Sequence, residues 1–177
     1  MTLADKLNVA IRNVADYPKP GILFKDITPV FADPALLHEV VSALVDEYKA
    51  QKIDAIVGVE ARGFIIAPII AYELNCRFIP VRKKGKLPYE TITEDYALEY
   101  GNATVEMHSD AIQPGWRVLV HDDLLATGGT AGAAANLVKK LGGEVIGFSF
   151  LINLSFLNGE QNLLKRFGVK PHYIVRY

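Results

Sequence analysis

Residues His121–Gly132 read HDDLLATGGTAG, and the apolar triplet Val118-Leu119-Val120 stands immediately before them. Trp116–Val120, apolar but for Arg117, has the nearly continuous apolar character of a strand buried on both faces. Thr130–Leu141 is rich in alanine and branched apolar residues at helical spacing and stops at Gly142-Gly143. A buried strand that delivers two carboxylates and a glycine turn straight into a helix is the opening of a strand–helix–strand unit.

The same alternation continues on both sides. Ile53–Val59 reads as a buried strand, Phe64–Leu74 as a helix, Phe78–Val81 as a strand and Val145–Leu154 as another. This order predicts an α/β fold with a central, mainly parallel sheet flanked by helices. Ligands of such sheets bind beyond the carboxyl ends of the strands, where Asp122 and the glycines after it are expected. Ahead of the alternation, Leu3, Leu7, Ala10, Ile11 and Val14 recur at helical spacing until Pro18, Pro20 and Gly21 end the helix. Asp33-Pro34 then gives an N-cap and a first-turn proline to an amphipathic helix carrying Leu36, Leu37, Val40, Val41, Leu44, Val45 and Tyr48. Arg82–Gly101, RKKGKLPYETITEDYALEYG, breaks the pattern because it is long, polar and rich in charge and tyrosine, the composition of a lid or a flexible excursion.

Composition narrows the functional classes. A chain of 177 residues suits one domain, expected over 1–177 with residues 1–33 as an N-terminal appendage and 82–101 as the excursion. With 19 basic and 20 acidic side chains and a net charge of -1, nothing points to nucleic acid or to an anionic membrane. Pro68 interrupts the apolar stretch Phe64–Tyr72, which is far shorter than the roughly 20 residues of a bilayer span. The N-terminus carries acids among its apolar residues, unlike a signal peptide, so a cytoplasmic protein is expected. Cys76 is the single cysteine, which excludes an intrachain disulfide framework and reads as a small buried hydrophobe. His38, His108 and His172 have no ligand spacing, and Trp116 follows Pro114-Gly115 as a packing residue at a strand start.

The chemistry resides in the opening stretch. Ala126-Thr127-Gly128-Gly129-Thr130 offers free backbone N–H groups, two hydroxyls and the positive end of a helix, a set that suits a phosphate. No Gly-x-x-x-x-Gly-Lys and no Gly-x-Gly-x-x-Gly occurs, so neither a nucleoside-triphosphate loop nor a dinucleotide fingerprint is present, and a monophosphate fits best. Asp122 and Asp123 are acceptors for neighbouring hydroxyls such as a ribose diol. Acids for a sugar beside a cradle for a phosphate describe a ribose 5-phosphate site.

The whole stretch closely resembles the phosphoribosyl pyrophosphate signature of the type I phosphoribosyltransferases. Four further segments, Tyr17–Asp26 (YPKPGILFKD), Glu60–Phe64 (EARGF), Arg82–Pro88 (RKKGKLP) and Leu98–Gly101 (LEYG), are similar to the adenine phosphoribosyltransferases of that family, in order along nearly the whole chain. The resemblance implies the type I fold with residues 1–33 as a small base-binding hood and 82–101 as a flexible catalytic lid. It implies a reaction in which adenine and phosphoribosyl pyrophosphate give AMP and pyrophosphate. It also implies Mg²⁺ held mainly through substrate oxygens and water, with no protein metal ligands, and a homodimer.

The resemblance assigns roles residue by residue. Glu99 and Tyr100 look like the catalytic pair of the lid, the glutamate reaching the N7 edge of the purine and the tyrosine the phosphate or leaving group. Leu23 and Lys25 resemble the positions whose backbone reads adenine, with Phe24 stacking on one ring face and Leu124 closing the other. Asp122, Asp123, Ala126, Thr127, Gly128, Gly129 and Thr130 would hold ribose 5-phosphate. Glu60, Ala61 and Arg62, with Arg82, Lys83 and Lys86 at the base of the lid, would hold pyrophosphate. Members of the family often carry a non-proline cis peptide before the arginine equivalent to Arg62. His121 departs from the family, where many relatives have valine or isoleucine, and is expected to sit in a satisfied niche. Three alternatives differ in the assay they predict: a phosphoribosyltransferase for another base, a ligand-sensing regulator that binds nucleic acid, and a binding module without turnover.

Overall fold

The computed structural model describes residues 1–97 and 101–177. The chain forms two compact units, Met1–Ala43 and Leu44–Tyr177.

In the first unit, Thr2 starts helix α1 (Leu3–Ala10) with a reciprocal cap: its hydroxyl accepts from the Asp5 amide at 3.2 Å and its own amide donates to the Asp5 carboxylate at 2.8 Å. Helical spacing had extended this helix to Val14, but α1 ends at Ala10. The chain becomes extended at Ile11, and strand β1 (Arg12–Ala15) pairs antiparallel with β2 (Leu23–Asp26), placing Val14 opposite Phe24. Ile11 keeps its buried place after Leu7, so the apolar spacing is honoured while the pairing with β2 overrides the helix. The Asp26 carboxylate accepts from the Thr28 amide and hydroxyl at the start of α2 (Thr28–Ala32). The Asp33 carboxylate accepts from the Ala35 and Leu36 amides at 3.0 and 3.1 Å, capping α3 (Pro34–Tyr48) as its sequence predicts.

The second unit carries β3 (Ala55–Val59), α4 (Gly63–Glu73), β4 (Arg77–Lys83), β5 (Thr91–Ala97), β6 (Asn102–His108), β7 (Arg117–Leu125), α5 (Gly129–Lys140), β8 (Glu144–Asn153), a 3-10 turn (Ser155–Leu157), α6 (Gly159–Phe167) and β9 (His172–Arg176). They build a seven-stranded sheet in the order β5-β6-β4-β3-β7-β8-β9. The run from β4 to β9 is parallel, and β6 joins β4 antiparallel with β5 antiparallel beyond it. The mainly parallel α/β sheet of the sequence reading is therefore present. The segment 82–101 is more regular than a free excursion, because β4 runs on through Lys83 and the β5–β6 hairpin extends the sheet at its edge.

Helix α4 packs on β3, β4 and β7, and α5 on β3, β5, β6, β7 and β8. The core joins Val118 and Val120 of β7 to Ala131, Ala134, Leu137 and Val138 of α5, with Phe148, Phe150 and Leu163. Each large side chain fully buried there contributes roughly 1.5–3 kcal/mol over its exposed state. Tyr48 closes the end of α3 by donating its hydroxyl proton to the Phe148 carbonyl at 3.2 Å. These contacts fix β3 and β7 side by side, Gly58 opposite His121, so the loops leaving both strands share one end of the sheet.

Candidate active site

Two chain segments meet at that end, Glu60–Gly63 after β3 and Asp122–Thr130, which spans the last residues of β7 and the turn into α5. The Glu60–Ala61 peptide is cis, as is Tyr17–Pro18. The turn presses against the paired acids: a Cβ at position 63 would lie 3.1 Å from Asp122 Oδ1 and from the His121 carbonyl oxygen. From this turn the Arg62 side chain reaches across, its Nε 2.8 Å from Asp123 Oδ2. Asp122 Oδ1 accepts from the Asp123 amide at 2.8 Å. Burial, and then the neighbouring Asp123 charge, push the Asp122 carboxyl well above its ordinary range. Burial also raises Asp123, against the pull of the Arg62 guanidinium.

Beyond the acids, Asp122, Leu124, Ala126, Thr127, Gly129 and Thr130 border a concave surface at the start of α5. Gly128 precedes the helix with φ +83°, a left-handed conformation that a side chain strains, and a Cβ there would also meet Leu163 Cγ at 3.1 Å. Gly128 has no side chain with which to cap α5, and of the first amides Gly129 makes only a long bond, 3.4 Å, to the Thr127 hydroxyl, which leaves the helix start suited to an anion. Helix α6 braces the loop: Asn162 Nδ2 donates to the Thr127 carbonyl at 3.0 Å. Asn162 was not legible as a site residue, because its only signal in sequence is an amide within a charged helix.

The basic residues at the foot of the β5–β6 hairpin are held from the same end of the sheet. Arg82 Nε and Nη2 donate to the two oxygens of Glu60 at 3.2 and 2.8 Å, and the Lys83 amide donates to Glu60 Oε2 at 2.9 Å. The Arg82 hydrogen bonds lower the Glu60 carboxyl below its usual range, against the effect of burial. The Glu60 carboxylate is thus engaged by Arg82, while the Lys83 and Lys86 side chains are exposed.

His121 occupies a satisfied niche on one side only. Its ring is fully buried, with Nδ1 3.1 Å from Ser149 Oγ, and Nε2 has no partner. Burial pushes its pKa down to about 3 from 6.5, so the ring is neutral at any ordinary pH. Trp116 packs against the core with the Arg77 guanidinium 4.3 Å from its ring centroid, the structural role expected of it.

Of the base-reading candidates, Leu23, Phe24 and Lys25 lie on β2 of the first unit. Leu23 is exposed, Phe24 meets Tyr17 edge-on at 5.1 Å between centroids, and Lys25 Nζ donates to Asn13 Oδ1 at 2.7 Å. Leu124 lies on β7 of the second unit, half-buried. Glu99 and Tyr100, the expected catalytic pair, fall outside the described residues. Among the described residues no cluster of three or more histidine, cysteine, aspartate or glutamate side chains is arranged to hold a metal ion.

This geometry has counterparts. Residues 28–171 match the phosphoribosyl transferase domain family. The adenine phosphoribosyltransferase of Anaeromyxobacter dehalogenans is 56% identical over 161 residues, 91% of this chain and 94% of that protein. The chain belongs to the adenine phosphoribosyltransferase family. A crystal structure of the family member from Rhodothermus marinus, 51% identical, superposes with a TM-score of 0.93 over 99% of this chain and 98% of that one. The Saccharomyces cerevisiae adenine phosphoribosyltransferase, complexed with adenine and an imino-altritol bisphosphate, is 37% identical with a TM-score of 0.87 over 98% and 97% of the two chains. The type I phosphoribosyltransferase fold read from the opening stretch is the fold of these family members.

Proposed function

We propose that the chain transfers the 5-phosphoribosyl group of phosphoribosyl pyrophosphate to adenine, giving AMP and pyrophosphate in purine salvage. It is a pentosyltransferase. The observation that carries this reading is the Asp122–Asp123 pair beside a glycine turn at the start of α5, in a chain 56% identical to an adenine phosphoribosyltransferase.

Each residue then has work to do. The amides of Ala126–Thr130 and the Thr127 and Thr130 hydroxyls bind the 5-phosphate, and Asp122 and Asp123 accept from the ribose hydroxyls. As the anomeric C–O bond breaks, its electron pair leaves on pyrophosphate, whose charge is met by Arg62, Arg82, Lys83, Lys86 and the Ala61 backbone. Glu60 acts by holding Arg82, to which it is hydrogen-bonded. Substrate must displace Asp123 from Arg62, which frees the carboxylate for ribose and the guanidinium for pyrophosphate in one exchange. Leu23 and Lys25 read the purine edge, Phe24 stacks on the ring and Leu124 closes the other face. Residues 1–33 form the base-binding hood. Residues 82–101 form the lid, bringing Glu99 to the purine N7 edge and Tyr100 to the phosphate or leaving group, and excluding water from the cationic ribose.

Mg²⁺ of the kind the reaction calls for keeps several waters and binds through substrate phosphates, so it would arrive with phosphoribosyl pyrophosphate and would neutralise charge on the leaving pyrophosphate. A homodimer is supported by α4, GFIIAPIIAYE, which is apolar on every side yet leaves Ile65 41% and Tyr72 82% exposed. The lone Cys76, whose thiol burial keeps protonated, suits the reducing cytoplasm.

The test is AMP formation with Mg²⁺ from adenine, hypoxanthine, guanine and orotate at equal concentration. Turnover of adenine alone is expected. Turnover of another base instead would discard the assignment of Leu23–Lys25, and silence with all four would favour a regulator or binding module.

A further inference from the structure

Glu106 on β6 is only 3% exposed. Its carboxylate meets main chain: Oε1 accepts from the Lys86 amide at 2.8 Å and from the Leu87 amide at 2.7 Å, and Oε2 faces the Thr91 hydroxyl at 3.4 Å. Successive amides converging on one anion form a nest, a device that elsewhere binds free phosphate. Here the chain fills the nest with its own carboxylate. Burial would raise the Glu106 pKa, but the amides of Leu87, Gly85 and Lys86 with the Thr91 hydroxyl outweigh it and hold the group ionised.

The consequence falls on Lys86. Its amide is held by Glu106, and its carbonyl accepts from Arg82 Nη1 at 3.1 Å, while Arg82 is in turn fixed by both oxygens of Glu60. The residue is pinned at both ends of its backbone and its side chain is exposed. Gly85, with φ +84°, provides the left-handed step that folds the turn onto the carboxylate. A lysine ammonium on four flexible bonds finds an anion efficiently only if its Cα is fixed at the right distance.

We infer that Glu106 is a positioning residue for the transfer reaction: it clamps the 84–88 turn so that Lys86 is presented, beside Arg82, to the pyrophosphate group. This rests on the proposed pyrophosphate role of Lys86. Glu106 does not touch substrate and acts only through the turn.

The test is steady-state kinetics of E106D, E106Q, G85A and K86A, and of E106D and G85A each combined with K86A, with thermal unfolding of every variant. Aspartate keeps the charge and withdraws the acceptor by one methylene, whereas glutamine keeps the reach and one oxygen for both amides. G85A strains the turn from the other side, and its Cβ has open space around it, so the fold is spared. E106D and G85A are each expected to raise KM for phosphoribosyl pyrophosphate about tenfold with KM for adenine unchanged. E106Q should stay within about threefold of wild type, and neither E106D nor G85A should add more than about twofold in the K86A background. A KM for phosphoribosyl pyrophosphate unchanged in folded E106D or G85A, or effects that multiply with K86A, would overturn the inference and leave the pyrophosphate reading intact. Should E106D not fold, the G85A pair decides alone. An unchanged KM in K86A itself would remove the pyrophosphate role of Lys86, and the inference with it.

Discussion

His121 makes the stability of the protein depend on acid in a way that one substitution removes. Burial takes the ring pKa to about 3, against an ordinary 6.5 that the unfolded chain recovers. Below about pH 6.5 the unfolded state binds a proton that the folded state refuses, so stability falls as pH drops, by about 1.4 kcal/mol per unit, until the folded group titrates. Between roughly pH 7.5 and about pH 5 the loss is about 2 kcal/mol. Glu60, Glu94 and Glu106, whose folded pKa values are lowered, contribute stability that is lost only as pH falls below the ordinary carboxylate range, outside this window. Asp122 has a raised folded pKa and works in the opposite sense, gaining stability as pH falls, but it does so equally in both proteins compared. The perturbation is His121→Val, which removes the titrating ring and its unpartnered Nε2. It leaves Ser149 Oγ without its contact, at a cost that does not vary with pH. Urea unfolding of both proteins at several pH values gives the difference. The stability of the variant relative to wild type should rise by about 2 kcal/mol from neutral pH to about pH 5. Parallel curves for the two proteins would refute a buried neutral histidine.

Three further perturbations probe the site and its surroundings. Gly128→Ala places a side chain at φ +83° and against Leu163, so it should cost about 1–2 kcal/mol in thermal unfolding and raise KM for phosphoribosyl pyrophosphate while sparing adenine. Asp123→Asn removes the charge paired with Arg62 and should lower kcat/KM for phosphoribosyl pyrophosphate by about a hundredfold in steady-state assays, a loss of about 2.7 kcal/mol of transition-state stabilisation. Tyr72→Glu puts a charge on the exposed apolar side of α4 and, with the proposed dimer formed there, should lower the sedimentation coefficient to that of a monomer; a monomeric wild type, or a coefficient unchanged by the substitution, would remove the α4 interface.

The parts legible in the sequence are those whose signal is local. Asp122–Thr130 declared itself because a buried strand, two acids and a glycine turn are contiguous, and α5 begins at Gly129, one residue before the expected Thr130. What escaped depends on partners distant in the chain. Val14 continues the helical spacing of Leu7 and Ile11, and only its pairing with Phe24 places it in a strand. Asn102–His108 carries mixed polarity, and its identity as β6 follows from antiparallel pairing with β4 and β5. Residues 155–177 carry α6 and β9, which went unread because both are short and the apolar positions of α6 alternate with polar and charged ones. Glu106 carries no local signal, since a single acid between Val105 and Met107 matches no motif. Its importance comes from the turn at 85–87 folding back onto it, some 20 residues earlier in the chain.

The central claim is group transfer to a purine nitrogen, and phosphorus NMR follows it directly. Protein, adenine, phosphoribosyl pyrophosphate and Mg²⁺ are mixed, and the phosphorus signals are recorded until substrate is exhausted. AMP and pyrophosphate appearing in equal amounts, with no signal from ribose 5-phosphate, is the predicted result. Pyrophosphate accompanied by ribose 5-phosphate and no AMP, or substrate left unchanged, would contradict it.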